Sequence, residues 1–143
     1  MPLTPCILLI EDHEGYAYLV ERHLRGLLPG VDVTVVHSGE DAVSAVGDRP
    51  FDLVLLDLDL PGLSGLDVLR LVKGHADRQM LPVVVLSQHD ADPFVWHAYH
   101  EFANAFVVKP NDIDALEPML RALTDFWFRH VKRPVMPANL VDL

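Results

Sequence analysis

Three short segments of this sequence end in groups suited to holding a metal ion or attacking phosphorus. Asp57 follows the aliphatic run Leu53-Val54-Leu55-Leu56 and precedes the turn Leu60-Pro61-Gly62. Glu11-Asp12 follows Ile7-Leu8-Leu9-Ile10, and Lys109-Pro110 follows Ala105-Phe106-Val107-Val108. Each apolar run is of the kind that forms a buried strand, and a charge at the end of a buried strand is costly unless a neighbour uses it. If the strands lie parallel and adjacent, their carboxyl ends deliver three acids and one lysine into one pocket. Crowded carboxylates disfavour each other's ionisation, and a hard divalent cation with oxygen ligands, Mg2+ being the natural candidate, relieves that cost. Asp12 and Asp57 are the expected direct ligands. Because Mg2+ keeps several waters and commonly helps to bind phosphate, the expected chemistry is acceptance of a phosphoryl group, with Asp57 as the nucleophile that forms an acyl phosphate. Lys109 would pair with one phosphoryl oxygen, and Ser87, at the end of Val83-Val84-Val85-Leu86, would donate its hydroxyl to another. That set suits a transition state whose charge spreads over peripheral oxygens. Pro110 fixes the lysine turn, with a cis bond as one way of doing so.

Positioning these groups takes a particular chain order. Short runs rich in Val, Leu and Ile at 6–10, 31–36, 51–56, 82–86 and 105–108 predict strands. Helical spacing fills the stretches between them: Leu19, His23 and Leu27 with Val20, Leu24 and Leu28; Leu66, Leu69 and Val72; Val95, Ala98 and Phe102; Ile113, Leu116, Leu120, Leu123 and Trp127. Ser38 with Asp41 and Ser64 with Asp67 have the spacing of a capping box. Asp92-Pro93 offers a cap followed by proline at the first helical position, and Asn111 offers a cap for the last helix. Strands alternating with helices predict an α/β fold, a doubly wound parallel sheet of five strands with five helices on its two faces and right-handed crossovers. Ligands of such sheets bind beyond the carboxyl ends of the strands where the strand order reverses. Glu11, Asp12, Asp57, Ser87 and Lys109 all fall at such ends. Singly each has a plainer explanation as a cap, a turn residue or a hydroxyl bonded to nearby backbone. Their shared placement argues for a site.

A chain of 143 residues, 50% of them hydrophobic, is one domain with a proper core. Eleven basic against 21 acidic residues give a net charge of −10, whose field repels nucleic acid and anionic membrane surfaces. Direct DNA binding and membrane association are therefore not expected. Cys6 is the only cysteine, which rules out an internal disulfide, suits a reducing cytoplasm, and in the first strand reads as a buried, inert thiol. Met1-Pro2-Leu3-Thr4-Pro5 has no secretory leader pattern, and no apolar run approaches the roughly 18 residues of a membrane span. A cytoplasmic location is expected. Two prolines and the lack of clean periodicity in Arg129-His130-Val131-Lys132-Arg133-Pro134-Val135-Met136-Pro137 argue against a further folded unit. The expected organisation is a domain over 1–128 and an extension over 129–143 without an effector domain. His97 and His100 lie one helical turn apart and read as solvated helix residues, not metal ligands.

Taken together, Glu11-Asp12, Asp57 within Asp52-Leu53-Val54-Leu55-Leu56-Asp57-Leu58-Asp59-Leu60-Pro61-Gly62, Ser87, and Phe106-Val107-Val108-Lys109-Pro110 carry a family likeness. Residues 6 to 127 resemble the receiver domain of two-component response regulators. The resemblance implies a flavodoxin-like strand order 2-1-3-4-5 and transfer of a phosphoryl group to Asp57 from a phosphohistidine of a sensor histidine kinase. It implies Mg2+ held by Asp12, Asp57 and the backbone carbonyl of Asp59, with Glu11 in the same acidic set. It also implies a switch in which Ser87 moves toward the phosphoryl group, Phe106 turns inward behind it, and the face of the fourth helix, fifth strand and fifth helix is remodelled. Physically that is a population shift biased by contacts to phosphate.

The segment Asp125-Phe126-Trp127-Phe128-Arg129-His130-Val131-Lys132-Arg133-Pro134 is similar to the ending of stand-alone regulators that partner phytochrome-type histidine kinases. This implies a red-light-sensing kinase as phosphodonor and a homodimer formed through the last helix and its extension. Three successive aromatics cannot all face one core, which leaves at least one for a subunit contact. The chain departs from the family pattern at Gln88, where a small residue is usual, and at Asn104-Ala105, where Gly-Ala is usual. Asp59 and His89 occupy positions that tune acyl phosphate hydrolysis in the family.

The expected function is a phosphorylation-controlled switch that acts by binding a partner, taking part in its own phosphotransfer and dephosphorylation without being an enzyme. One alternative is a phosphate sink that drains a shared kinase. Another is a phosphatase, because Asp57-Leu58-Asp59 resembles the nucleophile motif of haloacid-dehalogenase-type enzymes, in which the second acid is a general acid. Against the phosphatase, the motif sits on the third predicted strand instead of the first, and no cap insertion is present.

Overall fold

The computed structural model describes residues 4–134. Strands β1 (Cys6–Ile10), β2 (Asp32–Val36), β3 (Leu53–Leu56), β4 (Val83–Ser87) and β5 (Ala105–Val108) alternate with helices α1 (Glu14–Leu27), α2 (Gly39–Asp48), α3 (Gly65–Lys73), α4 (Asp92–His100) and α5 (Leu116–Asp125). The five strands pair in parallel in the order β2-β1-β3-β4-β5, the expected flavodoxin-like arrangement.

The apolar runs are continuous because the inner strands are covered on both faces. Successive side chains of a strand point to opposite sides, so each run feeds two cores. Leu8, Ile10, Val54, Leu56, Val83 and Val85 pack with α2, α3 and α4 through Ala42, Val46, Val68, Leu69, Val72 and Ala98. Ile7, Leu9, Leu53, Leu55, Val84 and Leu86 pack with α1 and α5 through Ala17, Val20, Leu24, Leu116 and Leu120. Fully burying one such aliphatic side chain stabilises the fold by about 1.5–3 kcal/mol, so the charged strand ends ride on a rigid base.

Several helix ends differ from the sequence expectations. Ser38 and Ser64 cap α2 and α3 as expected, and Ser64 with Asp67 forms the full reciprocal box. Asp92 does not cap α4; it is the first helical residue, after Ala91, because Pro93 suits the second position as well as the first. Asn111 does not cap the last helix. Asp112 does so instead, accepting from Asp114 N and opening a 3-10 turn, Ile113–Ala115, that leads into α5. Ile113 is consequently exposed and off the buried stripe.

Phe102, expected on the buried face of α4, lies past its end with φ 71° and is 71% exposed. Phe102 N donates to Tyr99 O and Ala103 N to Ala98 O, a Schellman closure with phenylalanine in the left-handed position where glycine is favoured. The reversal delivers Ala103 to the core and starts β5.

The last helix runs beyond the expected boundary at 128. A π-helical turn, Phe126–His130, extends α5, with Trp127 and Phe128 packed on the α1/α5 core and Phe126 exposed. The extension then folds back. Arg133 Nη1 lies 3.2 Å from Asp52 Oδ1, and its guanidinium sits over the Phe128 ring, so this part of the tail belongs to the folded body. Residues 1–3 and 135–143 lie outside the described residues, and with them the expectations about Met1-Pro2-Leu3 and Val135-Met136-Pro137.

No cis peptide bond occurs among the described residues, so the Pro110 bond is trans. Cys6 is half-buried instead of buried, since β1 begins at the sheet's rim; burial, then Asp32 and Asp52, raises its thiol pKa. No helix among the described residues is long and apolar enough to cross a membrane. A groove of about 620 Å³, lined by Arg49, Phe51, Arg78, Met80 and Arg133 among others, lies at the amino ends of β3 and β4, away from the acidic strand ends.

Candidate functional site

The reactive groups stand one residue past their strands, yet their backbones are still tied to a neighbouring strand. Glu11 N donates to Val36 O at 3.0 Å, Asp57 N to Ile10 O at 3.0 Å, and Lys109 N to Ser87 O at 2.9 Å. The strand order reverses between β1 and β3, which is where Glu11-Asp12 and Asp57 meet. Gly65 closes the loop behind Asp57: a Cβ there would come within 2.4 Å of Asp57 O and 2.5 Å of Leu58 Cα.

Lys109 Nζ lies 2.8 Å from Glu11 Oε2 and 3.5 Å from Asp57 Oδ2. Asp57 Oδ1 accepts a hydrogen bond from Asp59 N at 3.1 Å. One carboxylate oxygen from each of Glu11, Asp12 and Asp57 falls within 4.8 Å of the others. Glu11, Asp57 and Lys109 are buried, whereas Asp12 is exposed at the mouth. Burial pushes the Glu11 carboxyl up to about 7, outweighing its hydrogen bond from Lys109, while the Asp57 charge pushes the same way. Burial also raises the Asp57 pKa against the opposing pull of Lys109. Three carboxylates against one ammonium leave a formal −2 when all are ionised, and this oxygen donor set fits a hard divalent cation.

The remaining candidates surround this centre. Ser87 is fully buried, and its Oγ accepts from His89 N at 3.1 Å, which leaves its own hydrogen free to donate. The Asp59 carboxylate is not in the acidic cluster; it faces His89, with Oδ2 2.8 Å from Nε2. Phe106 is half-buried against the α3/α4 core, and its N donates to Tyr99 Oη at 3.0 Å. Gln88 is exposed. Asn104 Oδ1 accepts from Lys73 Nζ at 2.8 Å and from Val83 N at 2.9 Å, joining α3 to the starts of β4 and β5. His97 and His100 are exposed, and His100 stacks on Trp96.

Three residues escaped the sequence reading. His13 caps α1, its Nδ1 accepting from Tyr16 N at 3.0 Å, a role missed because histidine is not among the usual capping residues. His37 Nδ1 lies 2.8 Å from Glu11 O and must be the donor, since a carbonyl only accepts. The Tyr16 ring lies 4.5 Å from Lys109 Nζ. Its place in the first turn of the helix that leaves Glu11-Asp12 was the available signal, because a large side chain there stands over the strand ends.

The family model described as response regulator receiver domain matches residues 7–121. The chain belongs to the response regulator receiver family. Receiver domains are modules of two-component signalling, and this one is similar to both curated and solved members. It is 38% identical over 116 residues to the uncharacterized transcriptional regulatory protein YkoG of Bacillus subtilis (strain 168), an overlap of 81% of this chain and 49% of YkoG. The chain thus spans about half the length of that relative. The crystal structure of the phosphorylated cyanobacterial phytochrome response regulator RcpA superposes with a TM-score of 0.88 at 26% identity, covering 93% of this chain and 100% of RcpA. The Mn2+-bound form of response regulator Rcp1 gives a TM-score of 0.84 at 28% identity, covering 92% of this chain and 99% of Rcp1.

Proposed function

We propose that this receiver acts as a single-domain response regulator of the phytochrome-associated kind, accepting a phosphoryl group on Asp57 from a sensor histidine kinase in the cytoplasm. The observation that carries the reading is the convergence of Glu11, Asp12, Asp57 and Lys109 at the carboxyl ends of β1, β3 and β5. The phytochrome link rests on the likeness to RcpA, which extends over 100% of that chain. We take 1–128 as the receiver body and 129–143 as an extension whose first residues pack back onto that body through Arg133, and we propose a homodimer formed through the last helix and this extension.

A carboxylate oxygen of Asp57 attacks phosphorus as the bond from phosphorus to the kinase imidazole breaks, leaving an acyl phosphate on Asp57. Lys109 pairs with one phosphoryl oxygen, and the Ser87 hydroxyl turns its free hydrogen to another. The carboxylates of Glu11, Asp12 and Asp57, with the backbone carbonyl of Asp59 as the family resemblance implies, would hold Mg2+, which would supply positive charge beside the phosphoryl oxygens. Movement of Ser87 frees space into which Phe106 turns, altering the surface of α4, β5 and α5 that a partner reads. The proposed role is a switch, not turnover. As a phosphatase the chain would need the Asp59 carboxylate at the reacting centre, and that group is engaged with His89.

Incubation with Mg2+ and carbamoyl phosphate, or with a phosphorylated phytochrome-type kinase, should add one phosphoryl group per chain, lost in Asp57→Asn. Absence of labelling from both donors overturns the proposal. Sustained release of phosphate from an ester would establish the phosphatase instead, and a labelled form with no phosphorylation-dependent partner would point to a phosphate sink.

A further inference from the structure

Lys109 is held from three directions: Glu11 Oε2 at 2.8 Å, Asp57 Oδ2 at 3.5 Å, and the face of Tyr16, whose ring centroid lies 4.5 Å from Nζ. The two carboxylates compete with any phosphoryl group for the ammonium, so their hold on it changes as the site is loaded. The attraction of the ring does not, because it comes from the quadrupole of the aromatic face. A lysine stem has many rotamers, and a fixed wall beside the ammonium removes those that leave the site.

The Tyr16 hydroxyl is buried and makes no hydrogen bond. Burial, then the charges of Glu11 and Asp57, pushes it up to about 12, so it stays neutral. A hydroxyl without a partner gives tyrosine no advantage over phenylalanine, which makes the ring the working part.

We propose that Tyr16 is a positioning residue that holds the Lys109 ammonium beside the Asp57 carboxylate through the face of its ring. The role rests on Asp57 being the phosphoacceptor. A plainer role is available, since Tyr16 also packs against the α1/α5 core. If filling space were its whole purpose, any apolar side chain of similar size would serve.

The test uses the full chain with Tyr16→Phe, Tyr16→Met and Tyr16→Leu, folding being checked by circular dichroism. In NMR spectra of lysine-labelled protein, the Lys109 ε-methylene is shifted upfield by the ring current in the parent and in Tyr16→Phe, and the shift is lost in Tyr16→Met. The rate of labelling by carbamoyl phosphate with Mg2+ stays within about twofold in Tyr16→Phe and falls roughly three- to thirty-fold in Tyr16→Met and Tyr16→Leu. In a Lys109→Met background, adding Tyr16→Met causes no further fall, since the effect passes through the lysine. The proposal is overturned if the upfield shift is absent from the parent, if folded Tyr16→Met labels at the parent rate, or if the fall persists without Lys109. Should Tyr16→Leu not fold, Tyr16→Met decides. A parent chain that is never labelled refutes the phosphoacceptor reading, while the methylene shift still reports the contact.

Discussion

Glu11 lies 2.8 Å from an ammonium, yet its carboxyl is pushed up to about 7, because burial costs the charged form more than Lys109 returns. In the unfolded chain the same group titrates near 4.5. Between these values the folded state binds more protons than the unfolded one, so stability falls as pH rises through that window. Asp57, also raised by burial, acts in the same direction. Thermal melts in chelator should therefore give a higher Tm at pH 5 than at pH 8, with Glu11→Gln flattening the profile. Mg2+, if held by the ionised carboxylates as proposed, should raise Tm more at pH 8 than at pH 5. A Tm that climbs from pH 5 to 8 without metal contradicts this account. The types of the acidic residues and of Lys109 were legible in the sequence. The pairing of Asp59 with His89 and the ring beside Lys109 were not, since each joins loops that no local pattern relates.

Helix ends show where local rules suffice. The Ser64 box was readable because both partners lie within one turn of α3 and depend on nothing else. The end of α4 was not readable, because its left-handed position carries Phe102 where the pattern leads one to expect glycine. Holding a bulky residue there costs roughly 1–2 kcal/mol. Phe102→Gly should relieve part of that cost and stabilise the protein by about 1 kcal/mol, read as a raised midpoint in urea with an unchanged slope. A lowered midpoint would show that the exposed ring contributes packing that outweighs the strain. The π-helical turn at Phe126–His130 was hidden for a related reason: spacing from Leu116, Leu120 and Leu123 already placed Trp127 inward, but three successive aromatics do not show which second ring follows it, and only contact with the α1/α5 core assigns Phe128.

Across the whole molecule, two cores share one sheet, and the site sits at the pole where the sheet's order reverses. The opposite pole is closed by the returning tail, through Arg133 on Asp52. Phe126 is left 58% exposed in the turn that leads into the extension, a large apolar surface with no use inside the folded body. If the proposed homodimer forms there, Phe126→Ser should weaken it roughly tenfold or more, as removal of a buried aromatic anchor does. Analytical ultracentrifugation over a concentration series measures this, and an unchanged dissociation constant would move the interface elsewhere.

Composition, the alternation of apolar runs with helical stretches, and the charges at strand ends determined the fold class and the residues able to take part in chemistry. They sufficed because burial on both faces of a parallel sheet writes itself into every inner strand, and the carboxyl ends of such strands converge whatever the loops do. Tertiary structure alone decided which oxygen meets the lysine, how burial sets the Glu11 pKa, which aromatic faces solvent and what lies beside Lys109. Those outcomes depend on distances between segments far apart in the chain, such as Glu11 and Lys109, and a linear pattern carries no record of distance across a fold.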